Sequence, residues 1–360
     1  MTYKFILQCS CVMVFLMSCD PLVTEFATNE RAKDYTAHII SSPPNKDTLT
    51  VATWNIRFGI GRAEWFGDSC GELVLFNAEE VEDGLELLAA QIAEMDADIL
   101  LLQEVDIDSK RSAYIDQVQW LLDNTGMNYG VYASMWEVQF VPSDGLGRIN
   151  TGNAILSKWP LSDAERIQLS LRGDQDDLTR AFYVRRNVLR AKVNYPGNLF
   201  WAVDIHASAF SNDDTKQKQY VEFKAVLDEL DTQGEHFVAG GDLNQLPPGA
   251  VKNNYCDNDR CPSESTEDDE GCDFSNETTW ISALFDSYVP AVSLVNYLQD
   301  ENSYFTHAST HDASDERYEW NRKLDYLFTN TDWVPRSTVT HQDAVLESDH
   351  VAVAAKWVIP

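Results

Sequence analysis

Positive charge is scarce in this 360-residue chain. Lysine and arginine together number 27 against 58 aspartates and glutamates, a formal net charge of −31 at pH 7. A protein this acidic repels polyanions at long range. Tight non-specific nucleic-acid binding needs Lys/Arg contacts to phosphates, and the sequence has no clear Lys/Arg cluster to supply them. Long apolar runs are missing as well: the N-terminal stretch 5–17 is apolar but too short to span a bilayer comfortably. The seven cysteines include no Cys-x-x-Cys pair, which removes the usual spacing of a zinc site. The acids in 253–276 lack the EF-hand pattern, so that segment reads as a solvated acidic loop.

What the chain does contain is a set of short apolar runs, each ending in a polar residue able to bind a metal or move a proton. The central one is 236–247, where an apolar run meets Gly240, Gly241, Asp242, Leu243 and Asn244. Side chains at i and i+2 of a strand share a face, so extended geometry would aim Asp242 and Asn244 the same way. The two glycines admit a close backbone approach. An ordinary Asx turn is the competing reading. The arrangement recurs at 51–54 before Asn55, at 99–102 before Gln103 and Glu104, at 200–205 before His206, within 324–328 around Asp325, and at Ser348-Asp349-His350 before the run 351–358. Ligand sites gather at strand ends on a rigid scaffold, and so many polar strand ends point to one shared site.

In order along the chain, Thr53-Trp54-Asn55-Ile56, Leu102-Gln103-Glu104-Val105, Gly152-Asn153-Ala154-Ile155-Leu156-Ser157, Asp204-Ile205-His206, Gly241-Asp242-Leu243-Asn244, Leu324-Asp325-Tyr326-Leu327 and Ser348-Asp349-His350 together resemble the endonuclease/exonuclease/phosphatase superfamily. Its members include DNase I-like nucleases, neutral sphingomyelinases and inositol polyphosphate 5-phosphatases. The resemblance covers 48–360. It implies a four-layer α/β sandwich, two mixed β-sheets packed face to face with helices outside, but it does not specify a substrate.

Glu104 stands out on physical grounds as a metal ligand, because an acid at the end of an apolar strand is costly to bury unless paired or coordinated. Carboxylate, amide and water ligands select a hard ion, so Mg²⁺ is expected, with Mn²⁺ able to substitute. Asn55 would hold Glu104 or a metal-bound water. His350 is expected to be the general base, since a histidine pKa near neutrality suits that role. The resemblance implies that Asp325 accepts the other imidazole N–H, that Asp349 is a metal-side ligand, that Asp242 orients the water and that Asn244 binds phosphoryl oxygens. It places His206 where related enzymes keep a second histidine, to stabilise the transition state or protonate the leaving oxygen. Asn153 matches a phosphate-side asparagine and Arg186 an arginine before a strand, both candidate substrate contacts. The other histidines, His307 among them, read as structural or exposed.

Residues 1–18 read as an export signal, with Lys4 ahead of the apolar stretch. The ending Leu16-Met17-Ser18-Cys19 resembles a bacterial lipoprotein signal, with Cys19 the lipidated first residue; plain secretion is the alternative. Residues 19–47 read as a tether and 48–360 as one domain, expected to be monomeric, at the cell envelope. Cleavage after residue 18 removes only Lys4, taking the charge to −32. The loop 58–71 reads either as a substrate-contacting element, through Arg57, Arg62 or Trp65, or as merely structural. Cys70, Cys256, Cys261 and Cys272 suggest two disulfides in an exported protein, with three pairings open. The expected substrate is a phosphodiester, a small molecule or phospholipid head group before nucleic acid. An extracellular nuclease and a non-catalytic binding protein are the rival readings.

Overall fold

The structure, a computed structural model, describes residues 23–67, 71–141, 143–209, 211, 213–259, 272–308 and 319–360. The expected leader 1–18, Cys19, Cys70 and Cys261 lie outside the described residues. Two apolar runs, β3 (Thr48–Asn55) and β4 (Ile99–Asp106), pair in parallel. A parallel pair needs a crossover, commonly a helix, and α1 (Ala78–Met95) provides it. A capping box between Asn77 and Glu80 starts α1, and Val81, Leu85, Leu88 and Ile92 form its buried face. The same device is repeated later in the chain. β9 (Asn198–His206) and β10 (Phe237–Asp242) are parallel and joined by α2 (Thr215–Thr232), which buries Tyr220, Phe223, Leu227 and Leu230.

Antiparallel strands complete two seven-stranded sheets around these units. The added strands are β1 (Asn29–Arg31), β2 (Lys33–Thr36), β5 (Tyr129–Val141), β6 (Gly147–Ser157), β7 (Leu161–Gln168), β8 (Asn187–Tyr195), β11 (Val289–Pro290), β12 (Asp325–Thr329), β13 (Val339–Thr340) and β14 (Val353–Val358). Sheet I runs β13-β14-β3-β4-β6-β5-β2, and sheet II runs β1-β7-β8-β9-β10-β12-β11. Three apolar cores give the layering. One packs α1 and the short helix Gln117–Asn124 on the outside of sheet I. A second lies between the sheets, Leu49, Val51, Ile99 and Leu101 meeting Leu189, Ala191, Phe200 and Val238. A third packs α2 on the outside of sheet II. The fold is therefore the expected four-layer α/β sandwich.

One expectation needs correction. Residues 29–36 are not a free tether. β1 pairs with β7 at the edge of sheet II and β2 with β5 at the edge of sheet I. The chain crosses between the sheets at Ala32, which is buried in the inter-sheet core. Unpaired edge strands offer hydrogen bonds, and this segment satisfies one edge of each sheet. β8 starts at Asn187, so Arg186 directly precedes a strand. Arg185 precedes it, buried, donating to the Arg180 and Tyr183 carbonyls and to Glu25, while Arg190 pairs with Glu165. Cys256 and Cys272 form a disulfide that staples the described flanks of the acidic insertion, where Tyr255 and Phe274 join a small separate core.

Candidate functional site

The C-terminal ends of the four parallel strands face one another across the sandwich, so Asn55, Glu104, His206 and Asp242 meet. On sheet II, β12 runs antiparallel with Asp325 directly opposite Asp242. On sheet I, His350 precedes β14, whose Val353 pairs with Thr53. Gly240 and Gly241 allow this convergence. A Cβ on Gly240 would lie 2.1 Å from the Tyr326 carbonyl oxygen, and one on Gly241 1.8 Å from that of Ile205. The groups admitted by the glycines are the neighbouring strands.

Asp242 Oδ2 is the centre of the cluster. Asn55 Nδ2 donates to it at 3.2 Å, His206 Nε2 lies 3.4 Å away and His350 Nε2 3.7 Å away. Asn55 Nδ2 also reaches Glu104 Oε1 at 3.2 Å, and its Oδ1 accepts from the Arg57 N–H. The Asn55 amide thus turns its nitrogen to two carboxylates and its oxygen away. Through its nitrogen it orients Glu104. Glu104 sits at φ 56°, in a region that costs an L-residue about 1–2 kcal/mol, and the β4–β6 register shifts between Leu102 and Val105. Such a bulge re-aims a side chain, and here it brings Glu104 out of the strand to the mouth of the site.

The extended geometry expected across Asp242 and Asn244 does not persist. β10 ends at Asp242, and Asn244, at φ 49°, donates its backbone N–H to Asp242 Oδ1. This is an Asx turn, the competing reading of the sequence. Asn244 Nδ2 donates to the Ala207 carbonyl beside His206.

Behind the cluster, His350 Nδ1 meets Asp325 Oδ2 at 2.8 Å, and Asp325 is fully buried. Burial opposes a charge on His350, but the carboxylates of Asp325, Asp242 and Asp349 outweigh it and push the imidazole up to about 10. The expected near-neutral histidine is therefore, without a cation, a protonated one. Burial raises Asp242, with Asp325 adding to it and His350 opposing. His206 goes the other way. Burial, then the charges of Arg186 and His350, hold it neutral. Arg186 is itself shifted down by burial, while the charges of Glu104 and Asp242 support its protonation. Asn153 is fully buried, donating to the Asn187 carbonyl, with its Oδ1 unpartnered.

Asp349 is held beside Arg57. Its carboxylate lies 3.7 Å from Arg57 Nε, and it accepts from Ser348 Oγ. Burial works against its charge, yet His350, Arg57 and Arg62 keep it below the usual carboxylate range. Arg57 and Arg62 are buried and donate to the carbonyls of Gly61, Ala63, Val345 and Ala308. Trp65 packs on Phe58 and Phe66. Arg57, just before the loop 58–71, thus supports Asp349. His307 was not expected here. Its ring meets His350 edge-on, centroids 4.7 Å apart.

A protein-family model, described as the endonuclease/exonuclease/phosphatase family, matches residues 52–350. The chain belongs to that family. Its members act as hydrolases on phosphoester bonds and generally depend on divalent metal. No curated protein matches the chain in sequence. Solved structures share the fold at low identity. An endonuclease/exonuclease/phosphatase from Beutenbergia cavernae superposes with a TM-score of 0.55 at 19% identity, over 87% of this chain and 72% of that one. A namesake from Bacteroides vulgatus gives 0.53 at 15%, over 88% and 100%. The human Nocturnin catalytic domain, solved with bound sulfate, gives 0.53 at 16%, over 91% and 97%.

The donor set fits a cation. Among the described residues, Asp242–Asp325–His350 and His307–Asp349–His350 each bring three ligand atoms within 4.8 Å of one another. Asp325 Oδ1 and His206 Nδ1 are buried without hydrogen-bond partners, which buried polar atoms rarely are.

Proposed function

We propose that this chain is a divalent-metal-dependent phosphodiesterase that cleaves its substrate by in-line attack of water, with no covalent intermediate. The observation that carries the reading is the convergence of Asn55, His206 and His350 on one oxygen of Asp242, with Asp325 behind His350. Glu104 and Asp242 would hold Mg²⁺, or Mn²⁺ in its place, as their hard oxygens favour. When bound, the cation would supply Lewis acidity at a phosphoryl oxygen.

His350, in its neutral form, removes a proton from the attacking water, and Asp325 fixes its tautomer and steadies the charge it acquires. Asp242 accepts from the same water and aims it. His206, kept neutral, donates from a nitrogen and stabilises charge on the phosphoryl group; this suits it better than the alternative role of general acid. Asn244, Asn153 and Arg186 contact the phosphoryl oxygens. Arg57 and Arg62 are engaged with main-chain carbonyls and offer no rail for a nucleic-acid backbone, which favours a small phosphodiester or a phospholipid head group. The Cys256–Cys272 disulfide is at home in an oxidising compartment and supports export, with Cys19 as lipid anchor.

Hydrolysis by the full-length chain tests this, with Mg²⁺, Mn²⁺, Ca²⁺ or EDTA, on an aryl phosphodiester, an aryl monoester, sphingomyelin vesicles and plasmid DNA. Metal-dependent diester hydrolysis, lost in Asp242→Ala and His350→Ala, is the expected result. Preference for DNA would make it a nuclease. Inactivity on every substrate with every metal would make it a binding protein on this fold.

A further inference from the structure

We propose that His307, Asp349 and His350 form a second cation position, one that takes a borderline ion such as Zn²⁺ or Co²⁺ in preference to Mg²⁺. Its Asp349 carboxylate lies 3.7 Å from Arg57 Nε, and it shares His350 with the Asp242 cluster, Asp242 Oδ2 lying 3.7 Å from His350 Nε2. Each of the three residues offers one ligand atom, and these atoms are within 4.8 Å of one another. Two imidazoles and one carboxylate are the donor set of ions softer than magnesium.

His307 is placed by the backbone rather than by chance packing. Its N–H donates to the Arg322 carbonyl, its carbonyl accepts from Asn321, and it bridges directly to His350. The next residue, Ala308, donates its N–H to the Asp349 carbonyl. All three donors are thus on one small antiparallel ladder. His307 Nδ1 is buried and has no hydrogen-bond partner. His350 offers Nε2, because Nδ1 is engaged with Asp325, and a carboxylate on the far nitrogen is the usual support of a metal-bound imidazole. The neighbouring Arg57 and Arg62 repel any cation, and this weighs most against Mg²⁺, which gains little from imidazole lone pairs. An ion held here occupies the nitrogen that His350 needs as a base.

The test is calorimetric titration of the full-length chain, stripped with chelator and with free thiols alkylated, against Zn²⁺ and against Mg²⁺. His307→Gln and Glu104→Gln are titrated beside it. His307→Gln is expected to weaken Zn²⁺ binding at least about tenfold and leave Mg²⁺ binding unchanged, while Glu104→Gln does the reverse. Zn²⁺ affinity unchanged in His307→Gln, or abolished only by Glu104→Gln, would overturn the assignment. If His307→Gln fails to fold, imidazole ¹⁵N shifts in the unmodified chain decide. Zn²⁺ must move the signals of both His307 and His350, and a shift in neither sinks the proposal. No substrate is used, so the result is independent of whether the chain hydrolyses a phosphodiester.

Discussion

Asp325 has no exposed surface, yet His350 is bound to it on one side and depends on it for its proton affinity. Replacing Asp325 with Asn keeps the shape and removes the charge. Activity is expected to fall by about 10²–10⁴, the usual worth of an oriented acid–base group. The pKa of His350 falls as well, so the acid limb of the pH–rate profile should move to lower pH, whereas mere structural damage would scale the profile without shifting it. Lys323 carries a different signature. It is buried, donates to the Asp325 carbonyl, and burial outweighs the Asp325 charge to bring it down to about 8 from 10.5. Below about pH 8 both folded and unfolded chains hold that proton, and folding bears the full desolvation penalty. Between about 8 and 10.5 the unfolded chain binds more protons, so stability rises with pH. Urea unfolding of wild type against Lys323→Met should show the wild type gaining on the variant across that window and level below it, by no more than about 3 kcal/mol.

The bulge in β4 belongs to the next scale, because it changes a strand to serve one side chain. Glu104→Gly removes the left-handed strain and Glu104→Ala keeps it, so the glycine variant should be more stable by about 1 kcal/mol, though both lose activity. Equal denaturant midpoints would mean that the bulge carries no strain. The crossing segment β1–β2 makes a second prediction. Deleting residues 24–36 bares an edge of each sheet and removes buried Ala32 and Tyr35. Stability should drop by at least about 2 kcal/mol, and size-exclusion chromatography should show association. Elements of this kind also mark where the sequence stops being legible. β3, β4, β9 and β10 announce themselves because strands buried on both faces read as apolar runs, and the helices because their apolar spacing is helical. β1 and β2 read as Asn-Glu-Arg and Lys-Asp-Tyr-Thr, mostly polar, and become strands only through partners more than ninety residues away. His307 is silent for the same reason. It reaches His350 through irregular pairing of 306–308 with 321–322 and 349–350, a contact with no periodicity to read.

At the scale of the whole molecule, two sheets each contribute half of one cluster. Gln103 of sheet I donates to the buried Asp204 of sheet II at 2.6 Å, close behind the site. Burial drives the Asp204 carboxyl well above its ordinary range, and its hydrogen bond with Gln103 ties the two sheets there. The proposed second cation position gives a global readout. On the proposed function, Zn²⁺ added beside Mg²⁺ should inhibit phosphodiester hydrolysis, and His307→Gln should need at least about ten times more Zn²⁺ for the same inhibition. Inhibition curves that superimpose would separate Zn²⁺ inhibition from His307.

The placement of β14 has a consequence for the life of the polypeptide. It pairs with β3, some three hundred residues earlier in the chain, and carries His350 in with it. Ribosomes add roughly 5–20 residues per second, so Asn55 waits roughly 15–60 s for the histidine that completes its cluster. During that interval β3 has an open edge and the nascent protein has no base. On the proposed function hydrolytic competence arrives late and all at once, and a translation product that stops short of His350 lacks the proposed base.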